Sequence, residues 1–362
     1  MKVGFRADAS VFHGAGHIMR CLTLAGELRS AGAEVFFLSR AWPGNLFALV
    51  EKQGFVLFPL PYEDKENDGE GLPRTDAGQP PLIPWERDVE ETRAILGNNR
   101  IHLDWLIVDG YSFDCRWEEG CRAWADRIMV IDDMANRQHD CDLLLDQNYM
   151  KNYESRYEKW TPPRCRKLLG PQYALLRGEF RKLRMSRLWI DKPLKKASIF
   201  FSAADSENET EKALRAVEEL GEVIGSVDVI VGAANVRKER IREICAALGN
   251  AEFYCQVENM AYLMSTADFA MGAAGSSTWE RCCLGLPAVV TVLSADQSGI
   301  AEALNEYGAV HNLGWFFNVD VQDYVRAIRT LSAEEMKSMA ERGMSLVDGL
   351  GSRRVVGELL KT

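Results

Sequence analysis

The sequence predicts an α/β protein with two domains, each built on a parallel sheet. Short apolar segments alternate with amphipathic helical segments along most of the chain, which is the pattern of strands joined by crossover helices. The 362 residues suffice for two separate cores. A loop of small residues precedes a helix twice, at 14–16 and again at 272–277, and we expect one of these loops in each domain.

The composition argues against several classes of protein. A net charge of −10 disfavours a general nucleic-acid binder, because such a protein needs a basic face. We expect no membrane association, since the chain has no run of about eighteen apolar residues and no basic-then-apolar leader. The nine cysteines are scattered without a Cys-x-x-Cys pair, which indicates reduced thiols in the cytoplasm. No obligate protein partner is expected.

The first twenty residues have the pattern of a strand, a glycine loop and a helix. Residues 2–5 are a short strand, Gly14 and Gly16 end the loop, and apolar residues recur three or four apart from His17 onward. A helix start offers unpaired N–H groups to an anion, and glycines let the backbone approach a phosphate or a sugar. A helix start also disfavours a protonated imidazole, so we expect a neutral His17 that can act as a base near pH 7.

From the residues alone, other interpretations of this motif stay open. His17 is equally well explained as a capping or packing residue of the helix. His13 and His17 also have the i, i+4 spacing of a metal pair, but the glycines between them disfavour a regular helix and no third ligand is evident. We therefore predict no metal.

The N-terminal domain, residues 1–190, continues the alternation. Its further strands are predicted at 34–39, 56–60, 105–109, 128–131 and 143–145, with a short strand segment at 170–176. Its further helices are predicted at 46–53, 90–96 and 117–126. Residues 62–88 are rich in glycine, proline and charge, and they are predicted to form a long surface loop.

Three apolar strands of this domain run into polar clusters, which begin at Asp109, Asp132 and Asp146. Tyr111 and Asn148 follow the first and the last of these strands. Each acid alone can be a helix cap or a turn former. Because ligands of open parallel sheets bind beyond the carboxyl ends of the strands, we expect the clusters to form one rim of a cleft.

The C-terminal domain is predicted at 191–345. Its strands are expected at 198–201, 227–231, 251–255, 268–271 and 288–292. Its helices are expected at 209–220, 237–247, 260–265, 278–284, 323–330 and 334–344. The remaining segment, 346–362, contains a last helix at 353–361 that we expect to cross back onto the N-terminal domain.

The second small-residue loop, 272–277, also opens a helix. Ser276 and Ser277 add hydroxyl donors at the helix start, and Glu280 is suited to accept two hydrogen bonds from ribose hydroxyls. Gln297, which we expect at the carboxyl end of the next strand, adds an amide beside the same cleft. The alternative is a capping box, with a serine N-cap and a glutamate three residues later, which explains the serine and the glutamate but not the glycines and alanines.

Taken in order, these motifs resemble one known family. The matching segments are Phe5-Arg6-Ala7-Asp8, Gly14-Ala15-Gly16-His17-Ile18-Met19-Arg20, Val108-Asp109-Gly110-Tyr111, Ile131-Asp132-Asp133, residues 170–177 and residues 272–287. Together these segments span most of the chain. In them the chain resembles the UDP-sugar hydrolases of pseudaminic acid biosynthesis, which act on UDP-2,4-diacetamido-2,4,6-trideoxy-β-L-altropyranose. The resemblance implies a GT-B-like α/β fold, with two Rossmann-like domains whose parallel sheets face each other across a cleft.

The resemblance also implies the roles of particular residues. His17 would be the catalytic base, and the second domain would hold UDP without a metal or a cofactor. The implied UDP-binding residues are Gly275, Ser276, Ser277 and Glu280. The substrate-binding residues expected in addition are Arg6, Asp8, Gly14, Gly16, Arg20, Asp109, Tyr111, Asn148, Asp205, Asn208 and Gln297.

The sequence departs from the family in two places. The family opens the second domain with a strand, Gly-Gly and a polar-Asp-x-x-Asn turn, whereas this chain has Ser202-Ala203-Ala204 before Asp205 and Asn208. The loop at 62–88 also looks long for the family. Both departures bear on which sugar is accepted more than on UDP.

The resulting hypothesis is a hydrolase that releases UDP from a nucleotide-linked amino sugar. Neutral His17 would take a proton from a water molecule that attacks the anomeric carbon and inverts it. UDP would be held at the Ser276–Ser277 helix start, with its ribose on Glu280. Two alternatives stay open, namely a GT-B glycosyltransferase that uses a UDP-sugar donor and a non-catalytic nucleotide-sugar binding protein.

Overall fold

The computed structural model describes residues 1–11, 14–62, 83–184 and 195–361. The chain divides into two compact units. Unit 1 comprises 1–147, 152–175 and 352–362, and unit 2 comprises 148–151 and 176–351. Each unit contains one parallel sheet, of seven strands in unit 1 and six in unit 2. The prediction of two Rossmann-like α/β domains is therefore confirmed.

Unit 1 is a doubly wound sheet with the strand order β3-β2-β1-β4-β5-β6-β7. Its strands are β1 Lys2–Ala7, β2 Glu34–Arg40, β3 Val56–Leu60, β4 Leu103–Asp109, β5 Ala125–Ile131, β6 Leu143–Asp146 and β7 Arg166–Leu169. Its helices before the boundary are α1 Gly16–Ser30, α2 Phe47–Lys52, α3 Trp85–Asn98 and α4 Cys115–Cys121.

The apolar run of β4 shows why these segments form a buried parallel sheet. Trp105 and Ile107 pack into the core on one face of the sheet, while Leu106 and Val108 pack into the core on the other face. Successive side chains of a strand point to opposite faces, so a continuous apolar run fits only a strand that is covered on both sides.

Unit 2 has the strand order β10-β9-β8-β11-β12-β13. Its strands are β8 Lys196–Phe200, β9 Ser226–Val231, β10 Ala251–Cys255, β11 Phe269–Ala273, β12 Ala288–Val292 and β13 His311–Trp315. Its helices are α5 Gly178–Arg184, α6 Glu209–Leu220, α7 Lys238–Leu248, α8 Met260–Thr266, α9 Ser277–Leu284, α10 Ala295–Tyr307, α11 Val321–Thr330 and α12 Ala333–Leu346. Strand β13 is missing from the sequence prediction because its ladder is irregular, with a register shift and Gly314 at φ +97.

The division of the chain differs from the predicted boundary at residue 190. The contacts place it at 175/176, because α5 belongs to unit 2, where Arg184 donates hydrogen bonds to the carbonyls of Cys283 and Val347. The last helix, α13 Gly351–Leu359, falls almost wholly in unit 1, where the Trp105 indole donates to the Leu359 carbonyl over 3.2 Å.

Some predicted elements are wrong. Residues 170–176 do not form a strand, because Gly170 has φ +99 and Pro171 begins a 3₁₀ turn and has no N–H to donate to a ladder. The strand at this place is β7, just before them. The helix predicted at 117–126 ends at Cys121, and β5 already begins at Ala125, which pairs with Leu103 of β4.

The predicted loop 62–88 is wrong at its carboxyl end. Pro84 is the N-cap of α3, and the helix buries Asp88. Residues 63–82 lie outside the described residues. Among the described residues, no helix combines the length and the apolar character that crossing a bilayer requires.

In both sheets the chain order reverses at one strand. In unit 1, β1 lies between β2 and β4, and in unit 2, β8 lies between β9 and β11. Ligands of doubly wound sheets bind beyond the carboxyl ends of the strands at such a reversal. Both glycine-containing motifs of the sequence lie there, the first after β1 and the second after β11.

Candidate functional site

The reversal point of unit 1 brings His17 against Asp109. His17 lies in the first turn of α1, and Asp109 is the last residue of β4, opposite Ala7 in the neighbouring strand β1. The imidazole Nδ1 lies 2.6 Å from Oδ1 of Asp109, which is fully buried. Parallel pairing of β1 with β4 therefore places a carboxylate beneath a histidine at a helix start.

Arg20 lies one turn after His17 in α1 and binds two carboxylates at once. Its Nε and Nη2 each lie 2.7 Å from an oxygen of Asp109. Its Nη1 and Nη2 donate to the two oxygens of Asp133, over 2.9 and 2.8 Å. The planar guanidinium matches both carboxylates in bidentate fashion, which fixes Asp109 in position under the imidazole.

The charges of this cluster are well defined. Burial acts to raise the pKa of Asp109 and of Asp133, but Arg20 and His17 together outweigh that effect, so the pKa of each carboxyl lies below its usual range. Two carboxylates thus face one guanidinium, which leaves one unit of negative charge next to His17. An ionised Asp109 can only accept, so Nδ1 of His17 is the N–H donor to it, and the neutral tautomer that this contact selects has its lone pair on Nε2.

The imidazole is held on its other side by Tyr111. The two rings meet edge to face with their centroids 4.8 Å apart, and the Tyr111 hydroxyl donates to Asp133 over 3.2 Å. His17 is only 8% exposed. Within the described ranges no hydrogen-bond partner of Nε2 is found, so this nitrogen is the one available to a substrate or a water molecule.

His17 lies at the edge of a cavity that is wholly within unit 1. The empty volume is about 660 Å³, including the open mouth. Its lining combines aromatic rings, among them Tyr111 and Trp42, with the carboxylate of Asp8. Aromatic faces next to a carboxylate suit a ligand that has both apolar patches and hydroxyl or amide groups.

Arg6 and Asp8, both predicted to bind substrate, are engaged with each other at this cavity. Arg6 is buried and donates to Asp8 over 2.6 Å and to Asp88 in bidentate fashion, over 3.0 and 2.6 Å. Asp8 also accepts from the backbone N–H of Arg40 over 2.7 Å. Arg6 thus holds Asp8 and the start of α3 in place, whereas Asp8 remains partly exposed.

The sequence analysis misses Asp88 and Asp133. Asp88 accepts hydrogen bonds from Arg6, Arg40 and the Trp117 indole, yet in the sequence it stands among many charges at the end of a loop-like stretch. The only available signal was Pro84, a residue that favours a helix start. Asp133 follows Asp132 directly, and nothing in the sequence says which of the two meets Arg20.

The three predicted rim acids do lie at one edge of the sheet, at the carboxyl ends of β4, β5 and β6. Besides Asp109, Asp132 pairs with Arg137 over 2.7 Å and Asp146 with Arg156 over 2.6 Å. Asn148 is placed in unit 2 rather than with this rim.

The glycine loop before α1 is tight. Gly14 has φ +71 and forms an isolated bridge with Ser10, and Gly16 begins the helix without a side-chain cap. Phe12 and His13 lie outside the described residues, and so does the metal-pair interpretation. Among the described residues, no group of three or more His, Cys, Asp or Glu is arranged to hold a metal ion.

In unit 2, the helix α9 begins at the reversal point. Its N-cap is Ser276, which makes no side-chain capping bond, and Ser277 is already the first helical residue, so the capping box of Ser277 with Glu280 does not form. Thr278 and Trp279 donate their N–H groups to the carbonyls of Gly275 and Ser276, and these bonds close the first turn. The exposed Ser276, the hydroxyl of Ser277 and the N–H groups of residues 275–277 remain as the donors at the helix start.

Glu280 and Gln297 flank this loop. Glu280 is 19% exposed and lies 3.6 Å from Arg177. Burial raises the pKa of its carboxyl, although Arg177 acts in the opposite direction. Gln297 is part of α10 rather than a strand end, and its Nε2 lies 3.4 Å from where a Cβ on Gly275 would stand. The loop, the carboxylate and the amide therefore lie near one another, and their binding of a ligand stays a prediction.

Asp205 and Asn208 have mainly structural contacts. Both have left-handed backbones, with φ +45 and +60. The carboxylate of Asp205 accepts the N–H groups of Glu209 and Thr210, each over 3.0 Å, and so caps α6. Asn208 donates to Glu211 over 2.8 Å. Their predicted binding to substrate has no support from these contacts.

Known proteins similar to this chain were found by sequence. No family model matches it. The chain is 24% identical over 302 residues to an uncharacterised protein of Methanocaldococcus jannaschii, covering 80% of this chain and 55% of that protein. It is 26% identical over 193 residues to the spore coat polysaccharide biosynthesis protein SpsG of Bacillus subtilis, covering 52% of this chain and 57% of that protein. The chain thus spans little more than half the length of these two relatives.

A third relative confirms the resemblance noted from the motifs. It is the UDP-2,4-diacetamido-2,4,6-trideoxy-beta-L-altropyranose hydrolase of Campylobacter jejuni, 24% identical over 287 residues, covering 78% of this chain and 89% of that protein.

Solved structures confirm the GT-B fold. The chain is similar to MurG of Acinetobacter baumannii with a TM-score of 0.67 and 15% identity, covering 100% of this chain and 99% of that one. It is similar to the spinosyn rhamnosyltransferase SpnG, solved with thymidine diphosphate, with a TM-score of 0.64 and 18% identity, covering 99% and 100% of the two chains. At these identities the likeness concerns the fold alone.

Proposed function

We propose that this protein is a hydrolase that releases UDP from a UDP-linked diacetamido-trideoxyhexose, in the biosynthesis of a pseudaminic-type nonulosonic acid. The similarity to the Campylobacter jejuni hydrolase supports this substrate class. The nine cysteines are free thiols, which agrees with a reaction in a reducing compartment, the cytoplasm.

The observation that carries the proposal is the pairing of His17 with Asp109. A buried carboxylate at Nδ1 fixes the tautomer in which Nε2 is a base, and it stabilises the imidazolium that forms when a proton is taken up. Arg20 and Tyr111 hold the pair in place, so little reorganisation is needed during the reaction.

In the proposed reaction, Nε2 of His17 removes a proton from water while the water oxygen forms a bond to the anomeric carbon. The bond between that carbon and the β-phosphate oxygen breaks, and UDP leaves with the electron pair. Attack opposite the leaving group inverts the anomeric centre. UDP is a stable anion, so its departure requires stabilisation of charge rather than a strong acid.

The two units have different tasks in this scheme. Unit 1 supplies the base and the cavity beside it, in which Asp8 and the aromatic rings would bind the sugar with its acetamido groups. Unit 2 would bind UDP, with the diphosphate at the Ser276–Ser277 helix start and the ribose hydroxyls on Glu280. Gln297 would add an amide donor next to Gly275.

The experiment that tests the proposal is acceptor-free release of UDP. The full chain is incubated with a panel of UDP-diacetamido-trideoxyhexoses, and UDP is followed by ³¹P NMR with and without EDTA. We expect release from at least one member of the panel, unaffected by EDTA. Turnover that requires an added sugar or lipid acceptor would instead establish a glycosyltransferase, and binding without turnover would establish a nucleotide-sugar binding protein.

A further inference from the structure

Unit 2 contains a buried arginine that forms no ion pair with a carboxylate of the described residues. Arg281, in α9, is 2% exposed. Among the described residues, no carboxylate lies within ion-pair distance of its guanidinium. The carboxylate of the preceding Glu280 lies 3.6 Å from Arg177 and attracts Arg281 only from a longer distance. An unpaired buried charge is costly, because it loses its hydration without gaining a counter-charge. Such a group calls for a partner that the chain does not supply.

The guanidinium lies directly beneath the small-residue loop. Nη2 donates to the carbonyl of Ala273 over 2.6 Å and to the Thr278 hydroxyl over 2.9 Å. Nη1 donates to the Ser277 hydroxyl over 3.1 Å, while Nε is buried without a hydrogen-bond partner. Arg281 thus connects the end of β11 to the first turn of α9.

Gly272 makes room for this arrangement. A Cβ at this position would lie 2.9 Å from Nη1 of Arg281 and would also meet the carbonyl of Phe200 on the neighbouring strand. The absence of a side chain at 272 therefore lets the guanidinium sit at the base of the loop. The packing thus explains why position 272 is a glycine, which the sequence motif alone does not show.

The contact with Ser277 uses its hydroxyl as an acceptor. Because Oγ accepts a hydrogen bond from Arg281, the hydroxyl proton remains available to another acceptor, such as an anion at the start of the helix. Burial lowers the pKa of Arg281 to about 10, so the side chain remains positively charged near pH 7. The start of α9 thus has the Ser277 hydroxyl as a donor next to the positive charge of Arg281.

We infer that Arg281 is the buried counter-charge for the diphosphate of the nucleotide ligand and acts on it through the hydroxyl of Ser277. It is a positioning residue that does not touch the reacting atoms. The nucleotide's identity rests on the proposed function, whereas the requirement for an anion rests on Arg281 itself. The consequence is that affinity depends on the phosphate charge of the ligand.

The test compares three ligands of decreasing charge, UDP, UMP and uridine, by calorimetry on wild type and Arg281→Gln. We expect the substitution to weaken the binding of UDP by about tenfold or more, that of UMP by less and that of uridine hardly at all. The reason is that a unit charge acts on the phosphates at short range in a partly buried site. Arg281→Lys, which keeps the charge, should retain part of the preference for UDP. Arg240→Gln, at an exposed arginine of the same unit, should change none of the three affinities.

The dependence of the affinity loss on the charge of the ligand distinguishes this role from a merely structural one. Equal weakening of UDP, UMP and uridine in Arg281→Gln would contradict the inference, as would an unchanged affinity for UDP. If Arg281→Gln fails to fold, Arg281→Lys and the thermal shift of the wild type with inorganic pyrophosphate take its place. No shift with pyrophosphate would then overturn the inference.

The outcomes also separate this inference from the proposed function. A wild type that binds UDP and pyrophosphate but hydrolyses no UDP-sugar would contradict the hydrolase and leave the role of Arg281 intact. If the wild type hydrolyses a UDP-sugar and Arg281→Gln binds UDP as well as the wild type does, the hydrolase is supported and the role of Arg281 is contradicted.

Discussion

Oδ1 of Asp109 lies 2.6 Å from Nδ1 of His17, although the two residues are 92 positions apart in the chain. The contact exists because β1 and β4 are neighbours at the reversal point of the sheet, with Ala7 opposite Asp109. Asp109 is the last residue of β4, and His17 lies in the first turn of α1, the helix that follows β1. The proposed reaction depends on this pairing.

Replacing His17 by Asn should remove the base and leave the fold intact. We expect turnover to fall by about 10²–10⁴-fold, the usual contribution of a positioned general base, while the affinity for UDP stays unchanged. Steady-state kinetics and calorimetry with UDP measure the two quantities. His102→Asn is the matched control, because His102 is an exposed histidine of the same unit paired with Asp126. Equal turnover in His17→Asn and wild type would remove His17 from the mechanism.

Asp109→Asn and Asp133→Asn should separate orientation of the imidazole from support of Arg20. Each substitution takes one carboxylate from Arg20, so both should lower stability. Only Asp109 also contacts Nδ1 of His17, and an amide there no longer enforces the reactive tautomer.

We therefore expect turnover to fall by about 10²-fold or more in Asp109→Asn, and by much less in Asp133→Asn. Turnover is measured at a temperature at which thermal melts show both variants folded. Equal losses in the two variants would mean that Asp109 acts only by holding Arg20.

Asp88 should make the protein sensitive to acid. Burial acts to raise its pKa, but Arg6 and Arg40 lower it by more, so the folded-state pKa is well below its usual range. The unfolded chain then binds a proton near pH 4 that the folded protein does not, and stability rises with pH through that region. The contribution of Asp88 is fully present above about pH 5 and is lost progressively as the pH falls from there towards the low folded-state pKa.

Urea unfolding of wild type and Asp88→Asn between pH 6 and 3.5 measures this effect. At pH 6 the variant should be less stable by about 3–5 kcal/mol, the usual cost of breaking a buried ion pair. The difference should shrink on acidification. A difference that stayed constant with pH would show that the charge of Asp88 is not what stabilises the fold.

Glu280→Gln should weaken the binding of ribose hydroxyls selectively. An ionised carboxylate accepts two hydrogen bonds from a ribose, and losing a charge-assisted bond costs roughly tenfold or more in affinity. We expect weaker binding of UDP and an unchanged affinity for 2′,3′-dideoxy-UDP, measured by calorimetry. If the substitution affected the two ligands equally, Glu280 would not contact the ribose.

The period of the apolar residues predicted most strands and helices, because a buried strand and an amphipathic helix each impose a local pattern. The pairing of His17 with Asp109 was not predictable from either segment, since it depends on which strands become neighbours. Asp88 was missed for the same reason, because it lies in α3 while its partners Arg6 and Arg40 lie in the strands β1 and β2. The strand predicted at 170–176 failed on a local feature, the Gly170-Pro171 pair.

The residues proposed for the second site lie closer together in the sequence than those of the first. Gly275, Ser276, Glu280 and Gln297 belong to one small-residue loop and its flanking helices, so chain proximity already brings most of them together. The role inferred for Arg281 required the structure, because in the sequence it is one charged residue of a helix, and only the structure shows that it is buried beneath the loop.

Hydrolysis of the substrate in ¹⁸O-labelled water tests the proposed chemistry most directly. Mass spectrometry of both products shows which bond the water has broken. Attack at the anomeric carbon predicts that the label appears on the released sugar and that UDP is unlabelled. Label on the β-phosphate of UDP would mean attack at phosphorus, and it would contradict the mechanism proposed for His17.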